Sequence, residues 1–518
     1  MDDINPSQQK SVQIRHFSRC DRAQPATVQN RTRIQKRADR FSSLCDLRQV
    51  PLAFLAGTLT LACAPSPLAT PSAVLVARAV VWVDASATSG GSGSREQPLK
   101  QIPVLAEGTH LHLMSGLYRG PFSFPPNSTV EGHGSVVLYA ESPDVVVSVE
   151  KGPITLRSLY IQGGDTGVAT TQPLVLEKVQ ISGHRQTALV AVDAGVTISG
   201  LEVHSRISTT QGIVITRGTL VLDGGLFEGP MRHAVALEDT DATVSQVRMR
   251  GPSTALKASV TRLRVDTLET AGGNQAAIFL KEGIAELRNL EMTGHEYAIL
   301  GSGRIDVRSL RAHGPAAGGI SLERARVSLD GIQITRAGPL GGVQLLECDS
   351  SLGSVEVRDS NAWGVMIRKG RARLASLKAS QLRGENTSSA TSLGDALHTR
   401  EAIVDVTRLE TADLEGSALF ASAFSVVTLA TVVAQRSGGG AIVVERDSRA
   451  IIHDLDVAGS VGPAVSVLDR STLHLRRFSA PQADISLWAD CAQGAYVSIR
   501  SVTPHTVIPK TPCVLSEP

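Results

Sequence analysis

The chain has 518 residues, 51 Lys+Arg against 49 Asp+Glu for a formal net charge of +2, and only 3% aromatic residues. So even a balance, with the arginines spread among acids, gives no reason to expect a polyanionic partner, and no nucleic-acid partner is expected. Length alone would predict several domains, but a repeat running through most of the chain predicts one elongated domain instead.

Residues 1–46 are polar, basic in places, and share neither the alternation nor the glycines of the rest of the chain. The translation start is expected near Leu44, Leu47 or Val50, with a disordered extension as the alternative. Residues 47–63 hold the apolar run Pro51 to Cys63, too short to span a bilayer and suited to a signal-peptide core. Its end, Leu61-Ala62-Cys63, resembles a bacterial lipobox with Thr60 where Leu is usual, which implies lipidation of Cys63. Residues 64–79, rich in Pro, Ala and Ser, are expected to form a tether.

From residue 80 a phrase recurs: a small residue, an apolar-any-apolar triplet, then charge. It reads Ala234-Val235-Ala236-Leu237-Glu238, Ala277-Ile278-Phe279-Leu280-Lys281, Gly319-Ile320-Ser321-Leu322-Glu323, Gly364-Val365-Met366-Ile367-Arg368 and Ala441-Ile442-Val443-Val444-Glu445. The spacing is about 20 to 24 residues, with one longer interval near residue 385. Between phrases run period-two stretches such as Arg326-Val327-Ser328-Leu329-Asp330, which alternate an inward and an outward side as a strand does. No 3.6-residue stripe argues for crossover helices. Asn is too scarce for a leucine-rich framework, and the period is too short for a propeller blade. The pattern predicts an all-β parallel β-helix of roughly fifteen coils, a rod ~70 Å long at ~4.8 Å per coil. It spans residues 80–490, with residues 81–125 as the N-terminal cap and 491–518 as the C-terminal cap and tail.

Trp82-Val83-Asp84, Gln97-Pro98-Leu99-Lys100-Gln101-Ile102, Ser115-Gly116-Leu117-Tyr118-Arg119-Gly120 and Gly132-His133-Gly134 follow in order. This N-terminal stretch resembles that of right-handed parallel β-helix proteins of the pectate-lyase-like superfamily, over roughly residues 80–500. The resemblance implies right-handed coiling. Many relatives cleave acidic polysaccharides, using paired carboxylates for hydrolysis or a base, often with Ca²⁺, for elimination.

Across the two columns where such chemistry would sit, just before the small residue and at the outward mid-strand position, there is one carboxylate, Asp395. Gly132-His133-Gly134 is read as a glycine turn, and Arg368-Lys369 as part of a solvated ladder of mixed charge. One local cluster remains. Asp395-Ala396-Leu397-His398-Thr399-Arg400 follows the longest interruption of the period, so Asp395, His398 and Arg400 are the candidate catalytic residues, facing one groove under a loop. Trp363, Phe279 and Phe420, with Met366 and Leu300, form a sparse apolar outward stripe that meets another protein or is covered by a loop. No nucleotide loop, zinc spacing or Ca²⁺-binding repeat occurs, so neither cofactor nor metal is expected. Of six cysteines, Cys348 is read as a buried small residue, and Cys491 with Cys513 as a disulfide closing the C-terminal cap.

These readings point to an exported lipoprotein, lipid-anchored at the outer membrane or surface of a Gram-negative bacterium. Its β-helix would bind a polysaccharide or an envelope protein without catalysis. The alternatives are a polysaccharide lyase or glycoside hydrolase acting on an acidic polysaccharide, and a structural stalk.

Overall fold

A computed structural model describes residues 79–88, 90–387, 390–392, 394–481 and 485–516. The expectations for residues 1–46, for the signal segment with Cys63, and for all of the tether but Ala79 lie outside the described residues. The rest is an all-β, right-handed parallel β-solenoid of about 17 turns. Each turn lays down three strands, one on each of three parallel sheets. The first sheet runs from Val80–Val83, paired with 110–113, to Val514–Ser516 on Val497, Ser498 and Ile499. The recurring phrase forms the third sheet, from Phe122–Ser123 to Leu487–Ala489. The second sheet lies between them along the chain, as in residues 290–293 on 310–313.

The alternation works as expected. Inward residues of the phrase stack directly coil on coil, from Val168 through Leu189, Ile213 and Val235 to Ile278, Ile299, Ile320 and Val343, all at most 1% exposed. Each such side chain contributes about 1.5–3 kcal/mol relative to remaining in water. Parallel β-branched stacks of this kind need no cofactor to hold the coil.

The charge that closes each phrase has a backbone reason. Asp239, Glu282, Arg324, Lys369, Glu401, Arg446 and Asp469 occupy the left-handed region, with φ between 48° and 59°, where the chain bends from the third sheet to the first. Apolar β-branched residues resist that conformation, whereas a polar side chain there can extend into solvent. Inside this bend the later coils carry a hydroxyl ladder. The Ser425 amide donates to Ser448 Oγ at 3.1 Å, and the Ser448 amide to Ser471 Oγ at 3.1 Å, with all three serines at most 1% exposed. Serine takes the place that stacked asparagines fill in other solenoids. Cys348, 3% exposed, occupies the same column in an earlier coil.

The segment 81–125 already coils, since Trp82 pairs with His112 and 110–119 with the following strand, and the solenoid has about 17 turns against the roughly fifteen expected. One expectation is corrected. Gly132-His133-Gly134 is not a turn. It lies inside the strand Ser128–Ala140, at a register shift opposite Met114 and Gly116, with Gly134 at φ +83°. Near the other end, a 3-10 turn at Cys491–Gln493 and a Cys491–Cys513 disulfide, with Cα atoms 5.4 Å apart, join the tail to the last coils. No helix among the described residues is long and apolar enough to cross a membrane.

Candidate functional site

The longest interruption of the period is an antiparallel hairpin, Glu385–Thr387 with Ala390–Ser392. The chain re-enters the coil through Gly394, at φ +77°, and this bend sets the direction of Asp395. Asp395 is 1% exposed and both of its oxygens are engaged. Oδ1 accepts the Ser417 amide of the next coil at 2.9 Å, and Oδ2 meets His398 Nδ1 at 3.0 Å. With the carboxylate accepting, Nδ1 carries the proton and Nε2 presents a lone pair.

Aromatic rings wall this pair. His398 follows Met366 and precedes Phe420 in the outward column of the third sheet, and its ring lies parallel to Phe420 with centroids 4.8 Å apart. Trp363 stands in the column of Asp395, one coil earlier, and meets the imidazole edge-on at 5.7 Å. Its indole N–H is buried with no partner among the described residues. Met366, expected to point outward, is only 9% exposed and lies under its neighbours. The apolar stripe is therefore partly covered here.

Arg400 does not join the pair. It lies two residues along the same strand, half-exposed, with its Nε 3.6 Å from Glu401. It does stand directly beside Arg368 in register. Two like charges on adjacent strands repel unless an anion lies between them. Glu445, two coils beyond His398, belongs by its sequence position to the charged ladder, yet its side chain is only 17% exposed. Burial pushes its carboxyl above the ordinary value, Asp469 pushes the same way, and Arg446 and His398 oppose. The sequence signal that could have marked it is its position, outward and two residues past Val443, as Arg400 is past His398.

Elsewhere the best-formed depression lies on the second sheet, lined by Glu356, Arg358, Lys378, Arg408 and Glu410. Its charges are already paired, Arg358 with Glu356, Arg408 with Glu410 and Lys378 with Glu410 at 3.4 Å, so it offers a ligand little unmatched charge. The third sheet is the better site.

No protein-family model matches the chain, and no curated protein matches it in sequence. Among solved structures it is similar to the catalytic unit of a thermostable GH87 α-1,3-glucanase from Streptomyces thermodiastaticus, at 14% identity and TM-score 0.23, over 75% of this chain and 65% of that one. The chain thus spans just under two thirds of that unit's length. It is also similar to a GH136 lacto-N-biosidase from Eubacterium ramulus, at 8% identity and TM-score 0.18, over 85% and 67% of the two chains. A third likeness is the A-module of a mannuronan C-5 epimerase from Azotobacter vinelandii, at 10% identity and TM-score 0.20, over 79% and 91%. Likenesses this weak bear on neither substrate nor mechanism.

Proposed function

We propose that the chain is a carbohydrate-active β-helix whose third sheet binds an acidic polysaccharide and whose His398 serves as a base for β-elimination. The observation that carries this reading is the buried Asp395 holding a partly exposed His398 between the Trp363 and Phe420 rings. A carboxylate that orients an imidazole and leaves Nε2 free is the arrangement a general base requires.

Elimination fits better than hydrolysis. A hydrolase needs two carboxyl groups facing the sugar about 5–10 Å apart, and Asp395 is sealed with both oxygens used. For elimination, a uronate binds with its carboxylate near Arg368 and Arg400, relieving their repulsion. The C5 proton moves to His398 Nε2, the electron pair forms a C4=C5 double bond, and the C4–O bond breaks. Glu445, whose carboxyl burial pushes above its ordinary value, is the group placed to give the leaving oxygen a proton.

The test incubates the full chain with uronate polysaccharides and follows unsaturated product by ultraviolet absorbance. Product is expected from the wild type, abolished in His398→Ala and reduced at least ~10²-fold in Asp395→Asn, where the imidazole loses its orienting charge. Turnover that survives His398→Ala refutes the base. Binding without product in any variant supports instead a recognition surface on the same sheet. We also propose that the chain is exported and anchored at the envelope through lipid on Cys63, which radiolabelled palmitate incorporation, absent in Cys63→Ser, would test.

A further inference from the structure

The first coils gather three imidazoles and a carboxylate on one outward patch, far along the chain from the Asp395–His398 pair. His110 and His112 alternate on one strand, and Glu131 and His133 on the next, with His112 directly beside Glu131 in register. His110 Nε2 lies 3.0 Å from Glu131 Oε2, which lies 3.8 Å from His112 Nδ1. His112 Nδ1 in turn lies 2.8 Å from His133 Nε2. The coordinating atoms of His110, His112 and Glu131 all fall within 4.8 Å of one another.

We propose that His110, His112 and Glu131, with His133 beside His112, form a binding site for one first-row transition-metal ion of the zinc class, tying the second coil to the third at the N-terminal end of the solenoid. Tetrahedral ligands at ~2.0–2.1 Å from zinc stand ~3.3 Å apart, and the separations of 3.0 and 3.8 Å from Glu131 to the two imidazoles bracket that value. Two nitrogens and one oxygen suit Zn²⁺, Co²⁺, Ni²⁺ or Cu²⁺, with a coordination position left open, whereas Ca²⁺ and Mg²⁺ call for oxygen ligands throughout.

The backbone holds the patch ready. The two strands pair in regular register through Met114 and His133, which sets the four side chains on one outward face, and the register shift follows directly at Gly134, φ +83°. A Cβ on Gly134 would lie 2.2 Å from Ser115 Oγ. That hydroxyl donates to the His133 carbonyl at 3.2 Å and accepts the Ser135 amide at 3.1 Å, pinning the irregular segment. From the preceding coil Trp82 stacks on His112 at 4.2 Å and on His133 at 5.1 Å, which fixes both rings and shields the patch on one side. Fixed ligand orientation of this kind is what tight metal sites share.

The experiment uses the full chain, stripped with a chelator and titrated with Zn²⁺ against a chromogenic competitor, then with Co²⁺ while visible absorbance and indole fluorescence are followed. One equivalent should bind with a tetrahedral Co²⁺ spectrum, and affinity for that equivalent should fall at least ~100-fold in His110→Ala and in Glu131→Gln. Both side chains are partly exposed, so these variants should keep the wild-type far-ultraviolet dichroism. Cobalt should also quench fluorescence in the wild type, and the quenching should be lost in Trp82→Phe. A wild type that takes up no ion overturns the site, as does an equivalent that binds equally well in both ligand variants. Quenching that persists in Trp82→Phe places the ion elsewhere and overturns it too.

Discussion

Three buried histidines make the solenoid acid-sensitive in a calculable way. His184, His233 and His295 are 2%, 7% and 1% exposed. Burial lowers the pKa of His184 and His295 from 6.5 to about 4, and that of His233 to about 3, with Lys257 and Arg232 adding to the effect at His233. All three are neutral in the folded chain at pH 7 and take up a proton readily only once unfolded. Between pH 6.5 and 4 the unfolded chain therefore binds more protons, and stability falls as pH falls. At pH 5.0 each histidine lowers the folding free energy by about 2 kcal/mol relative to pH 7.5, so the three together lower it by about 6 kcal/mol. His184 is the cleanest perturbation, because both ring nitrogens are buried without partners among the described residues. His184→Leu should shrink the pH 7.5-to-5.0 loss by about 2 kcal/mol, and should raise stability at pH 7.5 by removing an unsatisfied polar ring. Urea unfolding at the two pH values, followed by circular dichroism, measures both effects. An unchanged loss between pH 7.5 and 5.0 in His184→Leu would refute the assignment of acid sensitivity to this side chain.

Single contacts carry further expectations. Ser448→Ala removes the acceptor of the buried Ser425 amide and should cost about 1–3 kcal/mol in urea unfolding, while the exposed Ser328→Ala stays within about 0.5 kcal/mol of wild type. Reducing the Cys491–Cys513 bond, which closes a sequence separation of 22 residues, should cost about 3 kcal/mol and expose the tail to protease before the coils unfold. Gly341→Ala places a Cβ 2.3 Å from the Trp363 carbonyl oxygen at a residue with φ +70°, so it should destabilise the chain by at least about 1–3 kcal/mol and shift the indole emission that reports the wall of the His398 pair.

The three-sided coil is legible in the sequence because inward stacking demands it. Ile278, Ile299 and Ile320 recur at the register of one turn, and an apolar residue at that position has no other place to go. Coil counting falls short at the N-terminal end. There Val80–Val83 and 110–113 form sheet without the small-apolar-charged phrase, and backbone pairing does not require that phrase. The meeting of Asp395 with His398 is harder to read. Residues three apart on a regular strand point to opposite faces, and these two converge only because Asp395 stands in the bend after Gly394. Arg400 lies on the expected strand, but its ion pair with Glu401 depends on side-chain conformation that spacing does not encode. Glu445 is hidden in the sequence because it stands in the run of charges that closes its phrase, next to Arg446 at the bend. His184 and His295 are invisible as buried groups, since they stand between strands where there is no alternation, and His233 opens a strand just before its apolar phrase.

The two clusters have a physical feature in common. A regular coil displays its outward side chains in straight columns at strand spacing, on faces too flat to converge several groups on one ligand. Convergence needs a departure from the period, and each cluster sits at one. Before Asp395 the departure is the hairpin Glu385–Thr387 with Ala390–Ser392, and at His133 it is the register shift opposite Met114 and Gly116. The inward half of every coil is constrained by its neighbours above and below, whereas the outward half is free to vary. Repeats in a solenoid therefore report architecture, and interruptions report where chemistry can be built. Deleting residues 385–392 should consequently leave the coils stacked, since 397–400 pair with 365–368 without the hairpin, while the approach to His398 changes. Polysaccharide binding lost in a deletion variant that keeps its dichroism and unfolding midpoint would support that division. A deletion that unfolds the chain would show that the hairpin belongs to the fold.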